Sequence, residues 1–314
     1  GGGPLPPPRR PGRRRPRAPP SPADTGIAVN VAFVDKGMAE RLQAEGDRSP
    51  ADIVMTVDIA RLQQIVDAGV TQAVQSEVLA ANVPEALRDP GGHWLGLPPR
   101  ARIIYASKER VAAGEVTTYE DLASDKWKGR LCTRSGLHDY NVALLGAYIA
   151  HHGEEAATQW AAGLKANLGK KPDGGDRDQV KAIAAGECDI ALGNTYYMGQ
   201  MLADPEQKAW AEAVNIVFPV FEGGGTHVNI SGVAMTKAAP NHDAALKFME
   251  WLSSDHAQQI YAETNNEFPV KPGVPRSELV ASWGEFTPDG LSLAEVAGHR
   301  AAALKIMETV DFDG

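Results

Sequence analysis

The chain has 314 residues, 43% of them apolar and 23% charged, which suits two packed soluble domains. Its net charge is −9, and because residues 1–20 hold six arginines and no acid, removing that +6 leaves −15 on the body. An acidic body argues against nucleic acid as a partner while leaving cations open, and no apolar run approaches the roughly 20 residues needed to cross a bilayer.

Residues 1–23 contain nine prolines and the six arginines, with almost no large apolar residue, so they are expected to be disordered. They lack the apolar core of a signal peptide. Globular patterning starts at Thr25. Ile27 to Val34 predicts a strand, Met38 to Ala44 a short helix, Ile53 to Val57 a second strand ending at Asp58, and Arg61 to Ala68 a helix. Strand and helix alternate, as in a parallel sheet. Asp58 is either a site residue at a strand end or the N-cap of the next helix.

Arg100 to Ser107 predicts a strand with Arg100, Arg102 and Ile104 on one face, and two arginines on a face suit an anion. A short helix follows at Thr117 to Leu122, then a buried strand at Arg130 to Ser135. The turn after that strand places His138, Asp139 and Tyr140 at the start of a helix over Val142 to Ala150. The adjacent His151 and His152 at its end fit solvated histidines. Helices are expected over Ala156 to Leu168 and Asp178 to Ala185, strands at Asn215 to Pro219 and Val228 to Met235, helices at Asp243 to Leu252 and Asp255 to Glu263, and one closing helix over Ser292 to Val310.

Between those helices lies the stretch DIALGNTYYMG, residues 189–199. Asp189 to Leu192 reads as a buried parallel strand, and Asn194 or Thr195 can cap the helix that follows. Tyr196 and Tyr197 therefore sit at a strand-to-helix turn, where open α/β sheets bind ligands. A phenol titrates near pH 10, but a highly charged cation holds it as phenolate, a hard oxygen ligand suited to ferric iron. The alternative is that both rings are packing residues with hydrogen-bonded hydroxyls. Tyr140 occupies the equivalent turn one strand-helix unit earlier.

The only cysteines, Cys132 and Cys188, belong to no zinc-type cluster. Cys132 lies near the start of one strand and Cys188 just before another, so neighbouring parallel strands would bring them together. They are either a disulfide or two buried thiols. No GxSxG elbow, phosphate loop or HExxH pattern is present, so nothing points to an enzyme.

Six segments carry a family resemblance: TVD (56–58), GHWLGLPPRARIIYASK (92–108), KWKGRLCTRSGLHDYN (126–141), GECDIALGNTYYMG (186–199), THVNISGVAMTKAAPN (226–241) and LKFMEWLSSDHAQQIYAETNNEFPVKPGV (246–274). They resemble the periplasmic ferric-iron-binding proteins of bacterial iron ABC transporters, from about Thr25 to the end. The resemblance implies the type II periplasmic-binding-protein fold, an α/β architecture of two doubly wound lobes joined by crossing strands. Its implied division is 24–105 with 226–314 as the first lobe, the closing helix being free to pack on the second, and 106–225 as the second lobe.

By the same resemblance, Tyr140, Tyr196 and Tyr197 are implied to bind Fe³⁺ as tyrosinates. A synergistic anion such as carbonate is implied beside Arg102, with Arg100 and Arg134 as weaker partners and Asp58 as an accessory group. A monomeric periplasmic carrier that hands iron to an inner-membrane ABC permease follows. The same fold binding an organic or oxyanion ligand is the alternative. The family's first-lobe His or Tyr ligand has no match here, and a strand precedes the TGIAVNV segment in the family. Residues 1–23 are therefore expected not to be the domain's own start, as a GC-rich gene read in another frame would give, so that the chain would fold poorly or bind iron weakly through the second lobe alone.

Overall fold

The computed structural model describes residues 25–34 and 36–314. Residues 1–23, and the expectations placed on them, lie outside the described residues. The strands are β1 (Ile53–Thr56), β2 (Thr71–Gln72), β3 (Leu95–Ser107), β4 (Leu131–Cys132), β5 (Ile190–Asn194), β6 (Val214–Val217) and β7 (Val228–Thr236). The helices are α1 (Met38–Glu45), α2 (Ile59–Asp67), α3 (Glu77–Asn82), α4 (Asp139–His152), α5 (Glu154–Asn167), α6 (Asp176–Ala184), α7 (Tyr197–Ala203), α8 (Lys208–Glu212), α9 (His242–Leu252), α10 (Asp255–Asn265), α11 (Glu278–Ser282), α12 (Leu293–Gly298) and α13 (Arg300–Thr309).

The long strand β3 joins two halves of the sheet. From Leu95 to Ala101 it pairs antiparallel with β7, which in turn pairs with β1 and β2. From Arg102 onward it pairs antiparallel with β5 and then β6, and β5 pairs parallel with β4. The change of partner therefore falls between Ala101 and Arg102. An irregularity between Gly96 and Pro99 carries the strand past Pro98 and Pro99, which have no N–H to give to a ladder.

Both halves are covered on both faces, because residues alternate between two cores along each strand. In β3, Ile104 and Ala106 face a core shared with Leu144, Trp160 and Ile190, while Ile103 and Tyr105 face one shared with Val180, Ile183 and Ala191. In β7, Val233 and Met235 pack with Phe248 and Leu252, and Ile230 and Ala234 pack with Leu62 and Ile65. Gly193 of β5 has no side chain because a Cβ there would overlap the Tyr105 ring.

Several expected elements differ. Among the described residues β4 and β5 are the one parallel pair of named strands, since the strands that cross between halves run against their neighbours. Ile27 to Val34 forms no strand among the described residues: Ile27 packs against the core shared with Phe248, while Val29, Val31 and Phe33 are exposed. The expected strand over Arg130 to Ser135 shortens to β4, because the residues after Cys132 turn to meet α4. Thr117 to Leu122 gives only a 3-10 turn at Glu120–Ala123. The closing helix divides at Gly298 and His299 into α12 and α13, which pack on α4, with α13 also meeting α5 and α12 meeting α2. His151 and His152 are paired with carboxylates rather than solvated, His151 with Asp289 and His152 with Glu120, each at 2.8 Å.

Cys132 and Cys188 form a disulfide, with Cα atoms 5.9 Å apart across a sequence separation of 56. Cross-linking a loop of that size removes unfolded-state entropy worth about 4 kcal/mol. Replacing both cysteines by serine is expected to lower the denaturant-unfolding free energy by about 2–4 kcal/mol, and unreduced extracytoplasmic protein should show no alkylatable thiol by mass spectrometry.

Candidate metal centre

Because β4 and β5 are parallel neighbours, their carboxyl ends emerge side by side, and the turns that follow deliver Tyr140 and Tyr196 to the same place. In the first turn, His138 is the N-cap of α4, and its Nδ1 accepts the Tyr140 N–H at 3.2 Å. That bond needs a neutral imidazole, and burial together with Arg134 and Arg102 holds the His138 pKa down to about 4. In the second turn, Tyr196 is the residue before α7 and Tyr197 the first of the helix. Gly199, one turn on, is overlain by Asn266 from the end of α10, so any Cβ there would collide with that amide.

The hydroxyls of Tyr140 and Tyr196 lie 3.0 Å apart, and the rings of Tyr196 and Tyr197 are 4.4 Å apart. All three tyrosines are half-buried. Burial, and then the mutual repulsion of neighbouring phenolates, raises Tyr196 well above the usual tyrosine value and Tyr197 to about 12. Without a cation these two phenols stay protonated at neutral pH. Among the described residues no group of three or more His, Cys, Asp or Glu side chains could hold a metal, so the tyrosines are the available cluster of hard donors.

Three arginines surround them, with the Arg100, Arg102 and Arg134 guanidinium carbons 5.6, 5.7 and 5.3 Å from the Tyr140 ring centre. Their roles differ from those expected. Arg102 is 2% exposed and engaged: it donates to Asp176 at 2.6 Å, Asn194 at 3.1 Å and Asn141 at 2.7 Å. Only its Nε is unpaired, and with both terminal nitrogens engaged it offers no two-pronged edge to an exogenous anion. Arg100 has one bond, to Ser231 at 2.9 Å, and its buried Nε and Nη2 have no protein partner. Burial would lower its pKa, but Tyr196, Tyr140 and Glu267 outweigh that and keep it charged. Arg134 lies between, 3.5 Å from Asp176, with its charge close enough to Tyr197 and Tyr140 for the three to influence one another's ionisation.

Asp58 is not brought to the tyrosines as a free group. It caps α2 by accepting the Arg61 N–H at 3.0 Å, and its other oxygen accepts from Asn229 at 2.6 Å. Two residues that the sequence did not single out, Asn141 and Glu267, matter here, and so does Asn194, which caps no helix because α7 starts after Tyr196 with no side-chain cap. Asn141 and Asn194 adjoin the tyrosine turns and bond to Arg102, and the carboxyl of Glu267, raised to about 7 by burial, faces Arg100 from the segment after α10.

Residues 22–288 match the family of bacterial extracellular solute-binding proteins. The chain belongs to that family. It is 47% identical to iron uptake protein A1 of Synechocystis sp. over 289 residues, 91% of this chain and 80% of that one. It is 29% identical to the major ferric iron-binding protein of Neisseria meningitidis, covering 80% and 75%. Its fold matches the apo ferric ion-binding protein A of Pasteurella haemolytica with a TM-score of 0.88 at 49% identity, covering 93% and 92%. A Trichodesmium protein in complex with iron and citrate ligands matches with a TM-score of 0.84 at 42% identity, covering 88% of each chain. The architecture is thus the type II periplasmic-binding fold, and the chain is a solute-binding transport component, not an enzyme.

The raised phenol pKa values have a consequence for stability. Between pH 10 and pH 12 the unfolded chain sheds tyrosine protons that the folded protein retains at Tyr148, Tyr196, Tyr197 and Tyr261, so stability falls as pH rises through that window. Ultraviolet titration at pH 11 should show most of the seven tyrosines still protonated in folded protein and ionised in denatured protein.

Proposed function

We propose that this protein captures Fe³⁺ through Tyr140, Tyr196 and Tyr197 as phenolates and delivers it to an ABC permease on the outer side of the cytoplasmic membrane. The observation that carries the reading is the convergence of two phenol oxygens at 3.0 Å, with the ring of a third tyrosine 4.4 Å from that of Tyr196. Three phenolates neutralise a ferric ion formally, so the loaded site needs no further counter-charge from solvent. The names of the relatives support iron as cargo, and citrate beside iron in the Trichodesmium protein supports an accompanying anion.

For that anion, carbonate or a carboxylate, Arg100 is the partner we assign. Its unpaired Nε and Nη2 form a donor edge of the kind carboxylates accept. The same edge favours a second reading, in which an organic anion binds alone and the tyrosines only donate hydrogen bonds.

Adding ferric citrate to the metal-free protein separates the two, because only phenolate-to-iron charge transfer colours it. Loading is expected to release about one proton per ligating phenol, so apparent affinity rises with pH. Tyr196→Phe and Tyr197→Phe each delete one anionic oxygen while keeping the ring, and each should weaken the visible band and lower iron affinity by orders of magnitude. Arg100→Gln should abolish the effect of bicarbonate or citrate on the band and leave some colour. Wild-type colour and affinity in both phenylalanine variants would place the iron elsewhere.

A further inference from the structure

Beneath the tyrosines is a buried network that the ferric reading does not itself use. Asp176, the first residue of α6, is 1% exposed, and one of its oxygens accepts from both Arg102 at 2.6 Å and the Asn194 N–H at 2.9 Å. We propose that Asp176 is the positioning residue of the tyrosine cluster, holding together the turns that carry Tyr140 and Tyr196 through Arg102 and Asn194, and placing Arg134 beside Tyr197. The proposal rests on the reading of Tyr140, Tyr196 and Tyr197 as iron ligands.

Each arm from the carboxylate ends beside one tyrosine. The first passes through Arg102, whose other nitrogen donates to Asn141 at 2.7 Å, and Asn141 follows Tyr140 directly. The amide of Asn141 in turn donates to Thr133 Oγ1 at 2.9 Å and to the carbonyls of Arg134 and Ser135 at 3.1 Å, so the whole turn from β4 to α4 is tied to that point. The second arm runs to Asn194, the last residue of β5 and two before Tyr196; its carbonyl also accepts from the Tyr105 hydroxyl at 2.5 Å. The third is Arg134, 3.5 Å from the other Asp176 oxygen, whose positive charge acts on Tyr197.

A buried ion pair is poor evidence of a gain in stability, because desolvation offsets most of its attraction. Specific placement is a better account of this one. Its bonds go to the residues flanking the ligands, as hydrogen-bond partners behind a metal site do. The arrangement also sets the charge beneath the phenols: Asp176 offsets one of the three arginines, which leaves a net positive floor for phenolates and an anion.

The test compares wild type with Asp176→Asn in the full chain, titrated with ferric citrate and followed by visible absorption, circular dichroism and thermal midpoint. The asparagine keeps the size of the side chain and can still accept the Asn194 N–H, but loses the charge that holds Arg102 and Arg134. A folded variant with a displaced charge-transfer maximum at saturating iron and affinity lowered about 10- to 100-fold is expected. A folded variant with the wild-type maximum and affinity overturns the proposal. Should Asp176→Asn fail to fold, Asn141→Ala leaves the ion pair intact and removes the Arg102 bond together with the ties to Thr133, Arg134 and Ser135 that complete the arm to Tyr140; its band must move, and an unchanged band overturns the proposal equally. An uncoloured wild type would instead overturn the ferric reading, whereas a coloured wild type with unchanged variants overturns only the positioning role.

Discussion

Two parallel strands that lie side by side must release their chains at the same edge of the sheet, and the site depends on that constraint. β4 contributes two residues and β5 five, yet their register of Leu131 with Ile190 and Cys132 with Ala191 suffices to set two turns next to each other. Neither turn alone makes a site. Tyr140 and Tyr196 are 56 residues apart in the chain, and their hydroxyls meet because the sheet brings the turns together and Asn141 and Asn194 hold each to a common buried arginine.

Electrostatics completes what topology begins. Phenols buried among one another resist ionisation, as the raised values of Tyr196 and Tyr197 record, and their causes are desolvation first and mutual repulsion second. A trivalent cation opposes both effects, since direct ligation replaces lost solvation and puts more positive charge at the oxygens than the nearby arginines supply. Breaking the buried Arg102–Asp176 pair from one side would strand a charge at a cost of about 3–5 kcal/mol.

The strand ends were legible in the sequence because apolar runs bounded by glycine, asparagine and proline are local signals. Tyr196 and Tyr197 were therefore placed correctly on a turn, and Tyr140 on the turn one unit earlier, from DIALGNTYYMG and RSGLHDYN alone. The division of labour among the arginines was not legible. Arg100 and Arg102 share a face of β3, and what separates them is Asp176, which lies 74 residues after Arg102 and reads locally as one acid among several at the start of α6. Asp58 was ambiguous for the opposite reason: a cap and a ligand call for the same carboxylate at the same strand end, and only the Arg61 and Asn229 bonds decide between them. Ile27 to Val34 has the composition of a strand and forms none, since apolar content specifies burial and a ladder needs a matching register.

The step in β3 between Ala101 and Arg102 has a mechanical meaning. Every residue that fixes the tyrosines relative to one another, including Asp176, Asn141, Asn194 and Arg134, attaches to the sheet on the Arg102 side of that step, while Arg100 and its Ser231 partner lie on the other. A swing of one half against the other would thus carry the three phenols as a rigid jaw and draw Arg100 away from them. With the ion held as proposed, opening would strip Arg100 before it disturbed any oxygen of the three tyrosines, so the place where one strand changes partners would set the order in which the ion loses its neighbours.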